Sequence, residues 1–213
     1  AMYFELMLPY IESKFGSNAL LQKYTGLVEN FAHRVTNNRK KVLFVSHNLS
    51  IGEGAPTSLY QTIVGLSKSY SVDARVFCPM TGDFKEKYEE QGIPIYNYTK
   101  IVSKDSLKPL KSNFEKSKSD FQAYLKRENF ELVVCNTAKM LPYASFAIEL
   151  GIPAISVIRE SSDEHIDLTF STNTHVIDAA KHGLKNVNEV VFVSDVTRKT
   201  WQQRQWLPKT RVI

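Results

Sequence analysis

The sequence predicts an α/β protein built on a doubly wound parallel sheet. Three observations carry that prediction. Short β-branched apolar runs alternate with helical segments from residue 41 onward. Several of these runs, among them VLFV, LVV and VVFV, are apolar on both faces, as strands covered on both sides must be. Strand–helix alternation with right-handed crossovers then gives a parallel sheet with helices on each face.

The elements follow in order. Residues 2–36 read as two helices broken at Gly16, Ser17 and Asn18; in the second, Leu20, Tyr24, Leu27, Val28, Phe31 and Val35 recur at helical spacing. The polar run TNNRKK marks a boundary, which divides the chain into a helical extension (1–38) and a sheet domain (39–213). Strands are expected at 41–46, 72–77, 94–98, 131–135, 153–158 and 189–193. Helices are expected at 55–69, 83–91, 113–128, 139–150, 174–185 and 195–205.

The bulk composition narrows the classes. A chain of 213 residues that is 43% hydrophobic can bury a sizeable core. Its net charge of +5 permits an anionic partner without demanding one. Cys78 and Cys135 each end an apolar run, far from each other and with no Cys/His spacing for zinc, so they read as reduced, packed thiols of a cytoplasmic protein. No apolar stretch is long enough to span a bilayer.

In open parallel sheets, ligands bind outside the carboxyl ends of the strands, near the reversal of strand order. The first such end is the glycine loop SIGEGAPTS. Gly52 and Gly54 allow close backbone approach, and Pro56 suits the first turn of a helix, whose free N–H groups and dipole favour an anion. The alternative is a tight strand-to-helix turn that binds nothing. A dinucleotide fingerprint is disfavoured, because Thr57 replaces its third glycine and no acid closes the second strand; no Gly-Lys-Ser/Thr completes a Walker loop.

The end VIRESSDEH puts Arg159 and Glu160 at the presumed cleft. An arginine there can clamp phosphate or carboxylate, and a glutamate there can accept a hydroxyl proton or a hydrogen bond from a sugar. Alternatively, the two pair with neighbours while Ser161 and Glu164 cap a short helix. Glu164, His165 and Asp167 match no standard metal spacing. Asn136 and Thr137 suit hydroxyl recognition or helix capping, His47 follows the first strand, and Ser194 precedes Asp195, the expected cap of the last helix. Residues 99–118 carry six lysines against Asp105 and Glu115, followed by an apolar stripe of Phe114, Phe121, Tyr124 and Leu125. Such a segment can lie peripherally on anionic lipid at the inner face of a membrane, or it is a solubilising face over a core helix.

Taken together, the strand ends resemble a known family. KKVLFVSHNLSIGEGAPTSLYQTIVGLSKSYSVDARVF resembles the opening of the retaining glycosyltransferases of family 4. ELVVCNTAKMLPYASFAIELGIPAISVIRES is similar to that family's D-V-V-x-x-N-T … G-I-P-x-x-x-x-x-H-E-S run, and VVFVSDVTRKTW to its V-x-F-V-S-E-x-x-R run. The resemblance covers about residues 40–213. It implies one Rossmann-like half of a GT-B enzyme, the half that mainly holds the acceptor. The nucleotide sugar would be held chiefly by a C-terminal domain bearing two glutamates seven residues apart.

By the same resemblance, Gly52, Gly54, Ala55, Thr57 and Ser58 face the donor phosphate and the transferred sugar. Glu160 matches the family's cleft glutamate, and Arg159 stands where a histidine is common. His47, Asn136, Thr137 and Ser194 border the acceptor cleft. The family also implies a nucleotide-sugar co-substrate, no metal or other cofactor, a glycan, lipid-linked or protein acceptor, and no nucleic-acid partner. The lack of an Asp-x-Asp pair agrees with metal independence. The chain stops at LPKTRVI, about where the family's linker to the donor domain begins, so a piece of a larger cell-envelope or polysaccharide enzyme is expected, inactive alone. The competing expectation is a non-catalytic Rossmann-like module that supports a catalytic partner.

Overall fold

The computed structural model describes residues 39–69, 72–80, 82–97, 110–162 and 174–203. The expected helices within 2–36, the Ser161–Glu164 capping box and most of the basic stretch before residue 110 lie outside the described residues.

Six parallel strands form one sheet: β1 (Lys40–Ser46), β2 (Val72–Cys78), β3 (Ile95–Asn97), β4 (Leu132–Asn136), β5 (Ala154–Ile158) and β6 (Glu189–Phe192). Their order is β3-β2-β1-β4-β5-β6. The order reverses between β1 and β4, where Ser46 pairs in register with Asn136. That is the point at which open α/β sheets offer a crevice.

The described helices are α1 (Gly54–Ser69), α2 (Phe84–Glu90), α3 (Leu110–Glu128), α4 (Leu141–Ile148), α5 (Thr174–Asn186) and α6 (Asp195–Gln202). Because successive strand side chains point to opposite faces, β1 feeds two cores. Val42 and Phe44 pack with Leu59 and Ile63 of α1 and Phe84 and Tyr88 of α2. Leu43 and Val45 pack with Phe121 and Leu125 of α3 and Ala144 and Phe146 of α4. A third cluster joins Ile158, Val190 and Phe192 to Leu184 of α5 and Trp201 of α6.

The fourth predicted helix begins differently from its expected form. Residues 138–140 make a 3₁₀ turn, and α4 starts at Leu141. Pro142 explains the break: without an N–H it fits only the first turn of an α-helix. The apolar stripe of α3 faces inward, with Phe121, Tyr124 and Leu125 buried, and Lys118 pairs with Glu149 at 2.7 Å. The described part of that segment is thus a lysine-bearing face over a core helix. No helix of the described residues is long and apolar enough to cross a membrane. Cys78 and Cys135 are buried and free; burial pushes the Cys78 thiol up to about 12 and raises Cys135 as well, so neither is poised as a nucleophile.

The loops after β1 and β2 lie backbone against backbone. Phe84 donates its N–H to the Leu49 carbonyl at 3.0 Å, and a Cβ on Gly82 would fall 2.4 Å from the Leu49 carbonyl carbon. Gly82→Ala is therefore expected to push the glycine loop away from β2. A destabilisation of about 2 kcal/mol is expected, the usual scale for overpacking. Urea unfolding checks it: the midpoint falls while the slope is unchanged.

Candidate functional site

The carboxyl end of β1 turns sharply. Ser46, fully buried, donates its hydroxyl to the Asn48 carbonyl at 2.8 Å. Asn48 in turn accepts from the Ser50 N–H at 3.2 Å and donates to Glu53 Oε1 at 2.7 Å. His47 Nε2 donates to Glu53 Oε2 at 3.0 Å, while Nδ1 of the same ring is buried without a partner. The bond from His47, and after it that from Asn48, holds the Glu53 carboxyl below its ordinary value of 4.5. Glu53 and Asn48 did not stand out in the sequence. The acid directly before a helix start was the available signal, but its meaning depends on the loop folding back onto His47.

The loop's glycines are not demanded by the protein itself. Neither Gly52 nor Gly54 has a positive φ, and a Cβ at either would meet nothing within 4 Å. Space outside the loop is open. Thr57 is committed to the loop instead, its hydroxyl donating to the carbonyls of Glu53 at 2.8 Å and Ile51 at 3.2 Å.

A second cluster forms where β4 and β5 end. Arg159 Nε donates to Asn136 Oδ1 at 2.8 Å, and its Nη2 donates to Ser58 Oγ at 3.0 Å. Asn136, fully buried, donates through Nδ2 to the Ala55 carbonyl at 3.1 Å. The first turn of α1 is thereby fastened to the ends of β4 and β5. Glu160 Oε2 accepts the N–H groups of Ala138 at 2.9 Å and of Arg159 at 3.1 Å. The Glu160 carbonyl accepts from Trp201 Nε1 at 2.9 Å.

Between these residues lies Thr137, at φ 93° and ψ 151°, a region that is essentially glycine-only. Its N–H donates to the Val157 carbonyl at 2.8 Å, and its hydroxyl is buried without a partner. Strain of this kind, about 1–3 kcal/mol, collects at ligand sites in other proteins and persists only where surrounding bonds enforce it. Here the Ala138–Glu160 and Thr137–Val157 bonds do so.

The structure thus brings together Ala55, Ser58, Asn136, Arg159 and Glu160, with Thr137 beside them. His47 belongs to the Glu53 cluster, and the first turn of α1 joins the two. Ser194 is engaged elsewhere. It is the N-cap of α6, accepting from the Thr197 N–H at 3.1 Å. This corrects the expectation that Asp195 is the cap. Ser194 is extended at φ −157°, the conformation of an N-cap, whereas Asp195 is already helical and bonds Arg198 at 2.9 Å. Among the described residues no group of His, Cys, Asp and Glu could hold a metal ion.

No family model matches the chain, and no curated protein matches it. Solved structures do. The Anabaena protein Alr3699/HepE, in complex with UDP and glucose, superposes with a TM-score of 0.52 at 20% identity, over 78% of this chain and 41% of that one. A UDP-N-acetylglucosamine 2-epimerase gives 0.51 at 11% identity, over 79% and 46%. The fold is a Rossmann-like half of the GT-B kind. Identity this low establishes the fold and nothing finer. The chain spans less than half the length of these structures.

Proposed function

We propose that the chain is the acceptor-side domain of a glycosyltransferase that moves a sugar from a nucleotide-sugar donor to a hydroxyl acceptor with retention of configuration. Its setting would be bacterial cell-envelope or polysaccharide synthesis in the cytoplasm, with a lipid-linked, glycan or protein acceptor. The observation that carries this reading is the convergence of Arg159 and Asn136 on the first turn of α1, at the strand reversal, with Glu160 bonded beside Arg159. A solved structure of like fold holds UDP and glucose.

In this reading the donor's sugar and phosphate lie over Gly52–Ser58, beside Arg159. Glu160 serves through Oε1, because its Oε2 is already engaged by two backbone N–H groups. His47, Asn136, Thr137 and Ser194 border the acceptor. A C-terminal domain completes donor binding, the reaction uses no metal, and the 213 residues alone give no turnover. Peripheral membrane contact through residues 99–118 would bring a lipid-linked acceptor near.

The test is donor hydrolysis and transfer across a panel of nucleotide sugars, run with the parent enzyme and its Glu160→Ala form. A fall of about a hundredfold or more in kcat is expected, the scale of a lost proton-handling group, with an α-linked product from an α-linked donor. One observation favours a second reading, a non-catalytic module supporting a partner: the Arg159 and Glu160 side chains are already bonded within the domain. Sugar-nucleotide binding by the parent without turnover, with or without acceptor, would decide for that reading.

A further inference from the structure

We infer that Thr137 is a positioning residue, whose positive-φ backbone turns the Ala138 N–H onto Glu160 and so anchors that carboxylate. The strand before it sets the contrast. The N–H groups of Val133 and Thr137 donate to the Pro153 and Val157 carbonyls, at 3.0 Å and 2.8 Å, so both point toward β5. Along a parallel strand, successive N–H groups point to opposite neighbours. Were β4 to continue, the Ala138 N–H would therefore point toward β1. It donates instead to Glu160 Oε2 at 2.9 Å, on the side of β5, just past the end of that strand at Ile158.

The reversal is made at Thr137, where φ is 93° and ψ is 151°. Two consecutive N–H groups thereby face the same side. The Thr137 carbonyl accepts from the Met140 N–H at 3.1 Å and begins the 3₁₀ turn, so ladder and turn meet at one residue. Threonine takes this conformation at a cost in strain, and its hydroxyl is buried without a partner. Glycine would avoid both costs. It would also leave the peptide free to rotate, because glycine reaches most of φ/ψ space and a residue with a Cβ does not. Threonine thus gives a fixed peptide at the expense of stability. What that peptide fixes is Glu160. Its Oε2 accepts the Ala138 N–H and, at 3.1 Å, the Arg159 N–H, while Oε1 takes no bond among the described residues. One oxygen is anchored, and the other keeps its lone pairs for a ligand's hydroxyl.

The anchoring of Glu160 stands on this geometry alone. Its effect on sugar transfer rests on the glycosyl-transfer reading, in which Glu160 serves through Oε1.

Amide hydrogen exchange and thermal melting of the 213-residue chain test the anchoring without any turnover. Thr137→Gly is expected to melt a few degrees above the native chain, yet to exchange the Ala138 amide about tenfold faster or more. Thr137→Val removes the orphaned hydroxyl and keeps the branched side chain. It is expected to melt no lower than the native chain and to keep native exchange at Ala138. Glu160→Ala removes the acceptor and is expected to speed the same amide. Native exchange at Ala138 in the glycine or alanine form, faster exchange in the valine form, or a lower midpoint for glycine or valine would overturn the inference. In the parent enzyme, Thr137→Gly is expected to lower kcat about tenfold with KM unchanged, the pattern of a group misplaced only in the transition state. An unchanged kcat beside measurable native turnover would overturn the positioning role. A parent without turnover would sink the glycosyl-transfer reading alone, and the exchange result would still decide whether Thr137 anchors Glu160.

Discussion

Replacing Asn136 by leucine is expected to destabilise the domain by about 3 kcal/mol. The amide is fully buried and carries two bonds, one to the Ala55 carbonyl and one from Arg159 Nε. Leucine fits the volume but satisfies neither, taking a donor from the half-buried Ala55 carbonyl and an acceptor from the Arg159 guanidinium. A buried orphan is worth about 1–3 kcal/mol, and a bond to a charged group about 1.5–3. For a domain of this size the melting midpoint should fall by about 6–12 °C. Hydrogen exchange distinguishes the cause: the first turn of α1 should lose protection before the rest of the sheet. Asn136→Asp keeps the acceptor for Arg159 and should lose less. An unchanged midpoint for Asn136→Leu would mean that the first turn of α1 is held by packing alone.

Trp201→Ala should have the largest effect on stability, about 3–5 kcal/mol, the range for removing a buried large aromatic. Trp201 is fully buried in the third core cluster with Phe192 and Leu184, and its indole N–H holds the Glu160 carbonyl. The substitution therefore opens a cavity and frees the backbone that aims Glu160. Trp201→Phe separates the two effects. It preserves most of the apolar volume and loses the bond, so about 1–2 kcal/mol is expected from denaturant unfolding. If phenylalanine proved as damaging as alanine, the bond to Glu160 would outweigh the packing.

Much of the sheet was legible because buried parallel strands announce themselves. VLFV and LVV are apolar on both faces, and the structure covers both faces. Errors fell at helix starts, where one residue changes the assignment. Pro142 moved the start of α4 to Leu141, and Ser194 took the cap expected of Asp195. The site was half legible. The rule that ligands gather at strand ends selected Asn136 and Arg159, the family resemblance added Ser58, and the three do meet. Their bonds were not readable, since Arg159 reaches Asn136 and Ser58 from 23 and 101 residues away. Glu53 was missed although it is only six residues from His47. No periodicity encodes a loop that bends back on itself.

The reversal of strand order also fixes when the site can exist. Its two clusters come from residues 46–58 and 136–160, and the bonds between them span 81 to 101 residues. Only the pairing of β1 with β4 brings them together, and that pairing closes a loop containing α1, β2, α2, β3 and α3. Contacts of such long range form slowly, because chain entropy is lost before they return any stabilisation. During synthesis, a chain that has emerged only through β3 can assemble the Glu53 cluster but not the Arg159 cluster. The turn that holds Glu53 is thus in place before the Arg159 cluster that it borders.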